Sequence, residues 1–199
     1  MAGDAGLIIL DRDGVLNATV PNPAEPRPDS PLAVDAVVIF PWVPSVLRRF
    51  TDAGHPLAIA TNQPAFAKGK VSLDVLWQVH ARVIDGITRQ GARLSSSNVC
   101  LHRAEDGCVC RKPKPGLLLD ALALHPGLDP KRCWMVGDRA TDVLAGVAAG
   151  VQTALLGDDT GREQRALESA AVLPSFCGAD LRDFGRFLLG ESGANPRDQ

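Results

Sequence analysis

The sequence predicts an α/β fold, a parallel β-sheet with helices packed on both faces. Three observations lead there. Short apolar runs recur along the chain, LIIL at 7–10, LAIA at 57–60 and CWMV at 133–136, and each ends in polar residues or glycine. Helix-periodic segments lie between them. Buried strands that alternate with helices belong to sheets covered on both sides, the Rossmann-like arrangement.

The elements follow in order. Strand 7–10 runs into Asp11, and a helix over 43–53 ends at Gly54, a residue suited to the left-handed turn that stops a helix. Strand 57–60 runs into Thr61, and a helix over 73–90 ends at Gly91. After a strand at 99–101, a helix over 117–124 follows Pro115, which fits a first helical turn. Strand 133–136 runs into Gly137 and Asp138, a helix over 142–149 ends at Gly150, and strand 151–156 and helix 180–189 complete the fold. Two stretches read as irregular: 21–31, with five prolines, and 99–116, VCLHRAEDGCVCRKPKPG. Residues 1–190 are expected to form one domain, with a polar, disordered tail at 191–199 (ESGANPRDQ).

Composition narrows the function. The chain has 199 residues, 45% hydrophobic and 22% charged, which is ordinary for a globular protein long enough to bury a core. A net charge of −2 argues against a surface that coats nucleic acid. No apolar run approaches the ~20 residues of a membrane helix, and the first residues lack a basic leader. The five cysteines are an odd count, unlike a secreted disulfide framework. A cytoplasmic monomer with no membrane or nucleic-acid partner is expected.

In parallel sheets, ligands collect at the carboxyl ends of the strands. The first strand ends in DRDGVLN (11–17), which places Asp11 and Asp13 on one side of an extended chain, with Gly14 free to turn away. One carboxylate can act as nucleophile while the other transfers a proton. Like charges this close call for a cation between them, and Mg²⁺ prefers oxygen ligands. GDRATD (137–142) adds Asp138 at a strand tip and Asp142 at a helix start. Each aspartate taken alone also reads as a turn or cap residue; the pattern DxDG followed by GDxxxD does not.

Cys100 and His102, then Cys108 and Cys110, make two tight pairs separated by the five residues RAEDG (103–107). A Cys₃His set is a tetrahedral zinc composition, and four protein ligands leave no position for substrate. The zinc loop, 100–110, is therefore structural: it orders a segment with too few apolar residues to fold by packing. It also aims Arg111 and Lys112, which follow Cys110 directly. Cys133 and Cys177 read as buried thiols.

DRDGVLN, TNQ at 61–63, RKPKPG at 111–116 and GDRATD resemble, in order, the four motifs of the haloacid dehalogenase superfamily of phosphatases, spread over residues 7–150. The resemblance implies that Asp11 attacks phosphorus, that Asp13 acts as acid and then base, and that Asp11, the Asp13 backbone carbonyl and Asp138 hold Mg²⁺. It implies that Thr61 and Asn62 bind phosphoryl oxygens, that Lys112 supplies a fixed charge, and that Asp142 supports the metal site.

A zinc loop before RKPKPG narrows the resemblance to a branch with small or absent caps. That branch includes D-glycero-D-manno-heptose 1,7-bisphosphate phosphatases and histidinol-phosphatases. TNQPAFAKGK (61–70) resembles the heptose enzymes; the five-residue gap between His102 and Cys108, with GDRATD, resembles the histidinol enzymes. A bisphosphate needs cationic partners beyond the reacting centre, and Arg111 with Lys68, Lys70 or Arg139 offers them. Histidinol phosphate would instead use carboxylates such as Glu105 and Asp106. The expectation is hydrolysis of the 7-phosphate of the heptose bisphosphate, with histidinol phosphate as the alternative. A DNA 3′-phosphatase would need a basic groove that the sequence lacks, and a non-catalytic zinc module would not need both Asp11 and Asp13.

Overall fold

The computed structural model describes residues 5–22, 28–157 and 161–191. Among them, β1 (Ile8–Leu10), β2 (Leu57–Asn62), β3 (Leu94–Cys100), β4 (Trp134–Gly137), β5 (Gln152–Leu156) and β6 (Phe176–Gly178) form one sheet in the order β3-β2-β1-β4-β5-β6. Every pairing is parallel.

The alternation of side chains along β1 divides the core. Ile8 and Leu10 face one layer with Val43, Leu47 and Phe50 of α1 (Val43–Asp52), Val79, Val83 and Ile87 of α2 (Leu73–Thr88), and Phe184 of α6 (Leu181–Leu188). Leu7 and Ile9 face the other, with Leu117 and Leu118 of α3 (Gly116–Ala123) and Ala145 of α4 (Ala140–Ala149). Each fully buried side chain of this size contributes about 1.5–3 kcal/mol through removal from water. On the β5 side, Leu167 of α5 (Gly161–Ser169) packs with Val143 and Leu155.

The core strands and helices lie close to their sequence positions, and the departures have physical causes. β3 begins at Leu94, five residues before the expected 99, because LSSSNVC is a half-exposed edge strand with little apolar signal. α4 begins at Ala140 because the Asp142 carboxylate accepts from Arg139 N at 3.1 Å, which places Asp142 inside the first turn. α5 and β6 carry one fully buried residue each and were not anticipated. Cys133 is buried, but Cys177 is only half-buried.

The chain runs outward from β1 to β2 and β3, then returns to β4 on the other side of β1. The carboxyl ends of β1, β2 and β4 therefore surround the point where strand order reverses, where open α/β sheets bind ligands. The described part of the β1–α1 connection contains no helix and is tied by bridges Val20–Asp29 and Asn17–Ile39, so no helical cap stands over that end among the described residues. No described helix is long and apolar enough to cross a membrane. Residues 192–199 of the expected tail and 23–27 of the proline-rich stretch lie outside the described residues.

Candidate active site

Asp11 leaves β1 with its N–H bonded to Val136 O at 2.8 Å, which fixes its backbone between β1 and β4. The turn behind it closes through Gly14 N to Asn17 O at 2.8 Å. Gly14 has φ +91°, and a Cβ there would lie 2.2 Å from Asp138 Oδ2. Only glycine satisfies both the left-handed backbone and this approach. Gly137 is similarly constrained, since a Cβ would lie 2.3 Å from the Asp142 side chain.

Lys112 is 3% exposed and reaches inward from the loop after Cys110. Its Nζ donates to Asp11 Oδ1 at 2.8 Å and to Ala60 O at 2.7 Å, and pairs with Asp142 Oδ1 at 2.6 Å. Burial opposes the ammonium charge, but Asp11 and Asp142 outweigh it and raise the lysine's proton affinity. Burial and the Asp11 charge push Asp142 up to about 6, even with Lys112 beside it. Asn62 holds the Lys112 backbone from both sides: its Nδ2 donates to Lys112 O at 3.0 Å and its Oδ1 accepts from Lys112 N at 3.1 Å. Its side chain is thus largely committed to locating the lysine.

Asp11, Asp138 and Asp142 each present a ligand oxygen within 4.8 Å of the others. Asp138 Oδ1 is buried without a hydrogen-bond partner among the described residues. Burial, Asp11 and Asp142 drive its carboxyl well above the usual carboxylate range. An unpartnered oxygen among like charges is costly in a protein interior, and a hard divalent cation removes that cost. The donor set fits Mg²⁺, with Asp142 turned toward Lys112 and Arg139 N.

Asp13 is 7% exposed and has a different environment. Arg12, which is 1% exposed, donates to it from Nη2 at 3.0 Å, and Asn17, Ser30 and Gln63 donate at 2.9, 2.8 and 2.6 Å. Burial pushes this carboxyl up, but Arg12 and the three donors hold it below its ordinary value. His80 stands behind Arg12, with Nδ1 3.4 Å from Nη1 and Nε2 2.8 Å from Ser97 Oγ. Burial and the guanidinium lower the imidazole to about 4, so it is neutral and accepts at Nδ1.

Arg12, Asn17, Ser30, Gln63 and His80 were not among the residues singled out by sequence. Arg12, Asn17 and Gln63 sit inside the quoted motifs, and a signal was available: a cation between two carboxylates, and amides bracketing them. Ser30 and His80 have no local signal.

A cleft of about 190 Å³ opens above these groups, lined by Asp11, Asp13, Thr61, Asn62, Arg111, Lys112, Arg139 and Asp142 together with Pro28, Asp29, Ser30 and Lys68. Thr61 Oγ1 accepts from Gln63 Nε2 at 2.9 Å, which leaves its own hydrogen for a ligand. Arg111 donates to His102 O at 3.1 Å, so its guanidinium is indexed to the cysteine loop. Lys70 is turned aside to Asp29 at 2.5 Å, whereas Lys68 and Arg139 line the cleft. Asp106 caps Arg103 N at 2.8 Å and Glu105 faces the Arg103 side chain, so neither lines the cleft.

Cys100, His102, Cys108 and Cys110 converge as the sequence spacing suggested. Their sulfurs lie 3.3–3.8 Å apart, and His102 Nδ1 is 3.3 Å from Cys110 Sγ. Tetrahedral zinc–sulfur bonds of about 2.3 Å would separate sulfurs by about 3.8 Å, close to this spacing. Burial and the neighbouring thiols push Cys110 up to about 12, the cost of ionising sulfur here without a cation. The donor set fits zinc.

Residues 109–184 match the HAD-hydrolase-like family model. The D-glycero-beta-D-manno-heptose-1,7-bisphosphate 7-phosphatase of Pseudomonas putida is 34% identical over 188 residues, covering 92% of this chain and 99% of that protein. The enzyme of the same name from Pseudomonas aeruginosa is 37% identical over 161 residues, 81% of this chain and 85% of that one. The crystal structure of D,D-heptose 1,7-bisphosphate phosphatase from B. bronchiseptica, complexed with magnesium and phosphate, superposes with a TM-score of 0.76 at 28% identity, covering 94% of this chain and 99% of that one. The chain belongs to the haloacid dehalogenase-like phosphatases, in the family that holds these heptose-bisphosphate enzymes.

Proposed function

We propose that the protein removes the 7-phosphate of D-glycero-D-manno-heptose 1,7-bisphosphate through an aspartyl-phosphate intermediate. The observation that carries this reading is the pairing of Asp11 with buried Lys112 at the floor of a cleft whose rim holds Arg111, Lys68 and Arg139. One set of charges serves the phosphate that reacts, and the rim cations stand where the phosphate that stays would lie.

The free Asp11 oxygen attacks phosphorus, and Lys112 holds that carboxylate in place through its bond to Oδ1. Lys112 and the Thr61 hydroxyl stabilise charge on the phosphoryl oxygens, where fixed donors act most strongly. Asp13 gives its proton to the departing sugar oxygen, then takes one from the water that hydrolyses the aspartyl phosphate. Asp11, the Asp13 backbone carbonyl and Asp138 would hold Mg²⁺, with Asp142 supporting them through Lys112. Bound there, the ion would neutralise charge on the transferring phosphoryl group. Cys100, His102, Cys108 and Cys110 would hold a structural zinc that fixes Arg111 and Lys112.

Histidinol phosphate fits less well. The loop carboxylates that would meet its ammonium, Glu105 and Asp106, are turned to Arg103, and Asp29 in the cleft is already paired with Lys70. The test is kcat/KM with Mg²⁺ on both anomers of heptose 1,7-bisphosphate, histidinol phosphate and a 3′-phosphorylated oligonucleotide. Preference for histidinol phosphate would overturn the substrate assignment and leave the phosphatase chemistry standing.

A further inference from the structure

Phosphates and sugar hydroxyls ask for different partners. Phosphates take cations and hydrogen-bond donors, whereas a hydroxyl also needs an acceptor for its hydrogen. The rim of the cleft supplies Lys68, Arg111 and Arg139, side chains that only donate. The carboxylates of Asp11, Asp13 and Asp142 belong to the reacting centre. Among the described residues that line the cleft, Asp29 is the one carboxylate outside that centre.

Asp29 is held from several sides. Its backbone exchanges two hydrogen bonds of 2.8 Å with Val20, which seats it in the connection between β1 and α1. Oδ1 accepts from Ser30 N at 3.1 Å. Oδ2 receives Lys70 Nζ at 2.5 Å and, more distantly, Asn22 Nδ2 at 3.4 Å. A carboxylate has about four lone-pair sites, so Oδ1 keeps capacity for one further donor. The side chain is 28% exposed and can be reached from the cleft.

The pairing with Lys70 selects the kind of donor. A bare carboxylate on the rim would repel a doubly phosphorylated substrate and attract an ammonium. Beside Lys70 the same carboxylate carries little net charge and still accepts, which suits a neutral hydroxyl. The ion pair also joins two segments that line the cleft, the connection carrying Pro28 and Ser30 and the loop after β2 carrying Pro64 and Lys68.

We propose that Asp29 is a specificity-determining residue that accepts a hydrogen bond from a sugar hydroxyl lying between the two phosphates; this rests on the heptose-bisphosphate reading and gives the carbohydrate part of the substrate its partner. The contact is made alike in the bound substrate and in the transition state. Its loss therefore falls on KM more than on kcat.

Two bisphosphates separate hydroxyl recognition from phosphate recognition. One is D-glycero-D-manno-heptose 1,7-bisphosphate; the other is heptane-1,7-diyl bisphosphate, which carries both phosphates on seven carbons and no hydroxyl. With full-length protein and Mg²⁺, Asp29→Ala should lower the ratio of kcat/KM on the first to kcat/KM on the second by about tenfold to a hundredfold, the scale of a hydrogen bond to a charged group. The change should lie mainly in KM. Lys70→Met keeps the acceptor and removes its counter-charge, so both bisphosphates should become poorer substrates together, with the ratio retained. An unchanged ratio in Asp29→Ala overturns the role of Asp29. A ratio that falls as far in Lys70→Met also overturns it, because the effect then comes from anchoring of the connection. The parent protein separates the two levels: preference for histidinol phosphate removes the substrate reading and the proposal with it, whereas preference for the heptose bisphosphate with an unchanged ratio in Asp29→Ala removes the proposal alone.

Discussion

Replacing Lys112 by methionine removes one buried charge and leaves the rest of the site in place. The thioether follows most of the lysine stem but cannot donate to Asp11, Asp142 or Ala60 O, which lie 2.6–2.8 Å from Nζ. Two buried carboxylates lose their counter-charge. Removing one partner of a buried ion pair costs about 3–5 kcal/mol. At about 2–4 °C per kcal/mol for a chain of this size, Tm should fall by about 6–20 °C without added magnesium. The loss should also depend on pH. Asp142 is raised in the folded state to about 6 from an ordinary 3.8. A carboxyl raised on folding stabilises the fold most at low pH, and that contribution disappears as pH rises through the folded value. Without Lys112 the upward shift grows, so the Tm deficit should be larger at pH 8 than at pH 5. Thermal melts followed by circular dichroism at both pH values provide the measurement, and turnover should fall on every phosphate ester. A Tm at pH 8 within about 2 °C of the parent, or a deficit that shrinks as pH rises, would refute the assignment of Lys112 as the counter-charge.

Asp11→Asn should abolish turnover and leave the melt close to the parent, because the amide oxygen can still accept from Lys112; steady-state activity in a contamination-free preparation would remove Asp11 from the nucleophile role. Cys108→Ser should reduce zinc from near one per chain and lower Tm, read by elemental analysis and melting; zinc-free parent protein with an unaffected variant would end the structural-zinc reading. Arg111→Ala should cut kcat/KM on the heptose bisphosphate by roughly one to two orders of magnitude, the equivalent of ~1.5–3 kcal/mol for a charge-assisted contact, and spare a simple monophosphate. Equal losses on both would place Arg111 at the reacting phosphate or in the loop's structure.

Local chemistry was sufficient to locate much of this protein from its sequence. Apolar runs ending in Asp11, Thr61 and Asp138 marked strand ends, because a buried strand needs apolar residues and its exit into a site needs polar ones. Cys100, His102, Cys108 and Cys110 were legible because a tetrahedral ligand set is written in close spacing. Where burial is slight, the signal fails: β3 is half-exposed, and α5 and β6 each bury one residue completely.

What the linear order could not convey was which partner each polar group would take. RKPKPG marked Lys112 as a fixed charge for the site, but not that the return of the chain from the cysteine loop buries it between Asp11 and Asp142. Asn62 faces the Lys112 backbone fifty positions away. Arg12 sits beside Asp13 in sequence, but only the packing of α2 brings His80 behind it. Ser30 reaches Asp13 because Asp29 is tied to Val20 and Lys70. Composition and spacing determine which groups are available and where strands end. Hydrogen bonds are short and directional, so their pairing is decided by the fold that brings distant backbones within 3 Å of each other.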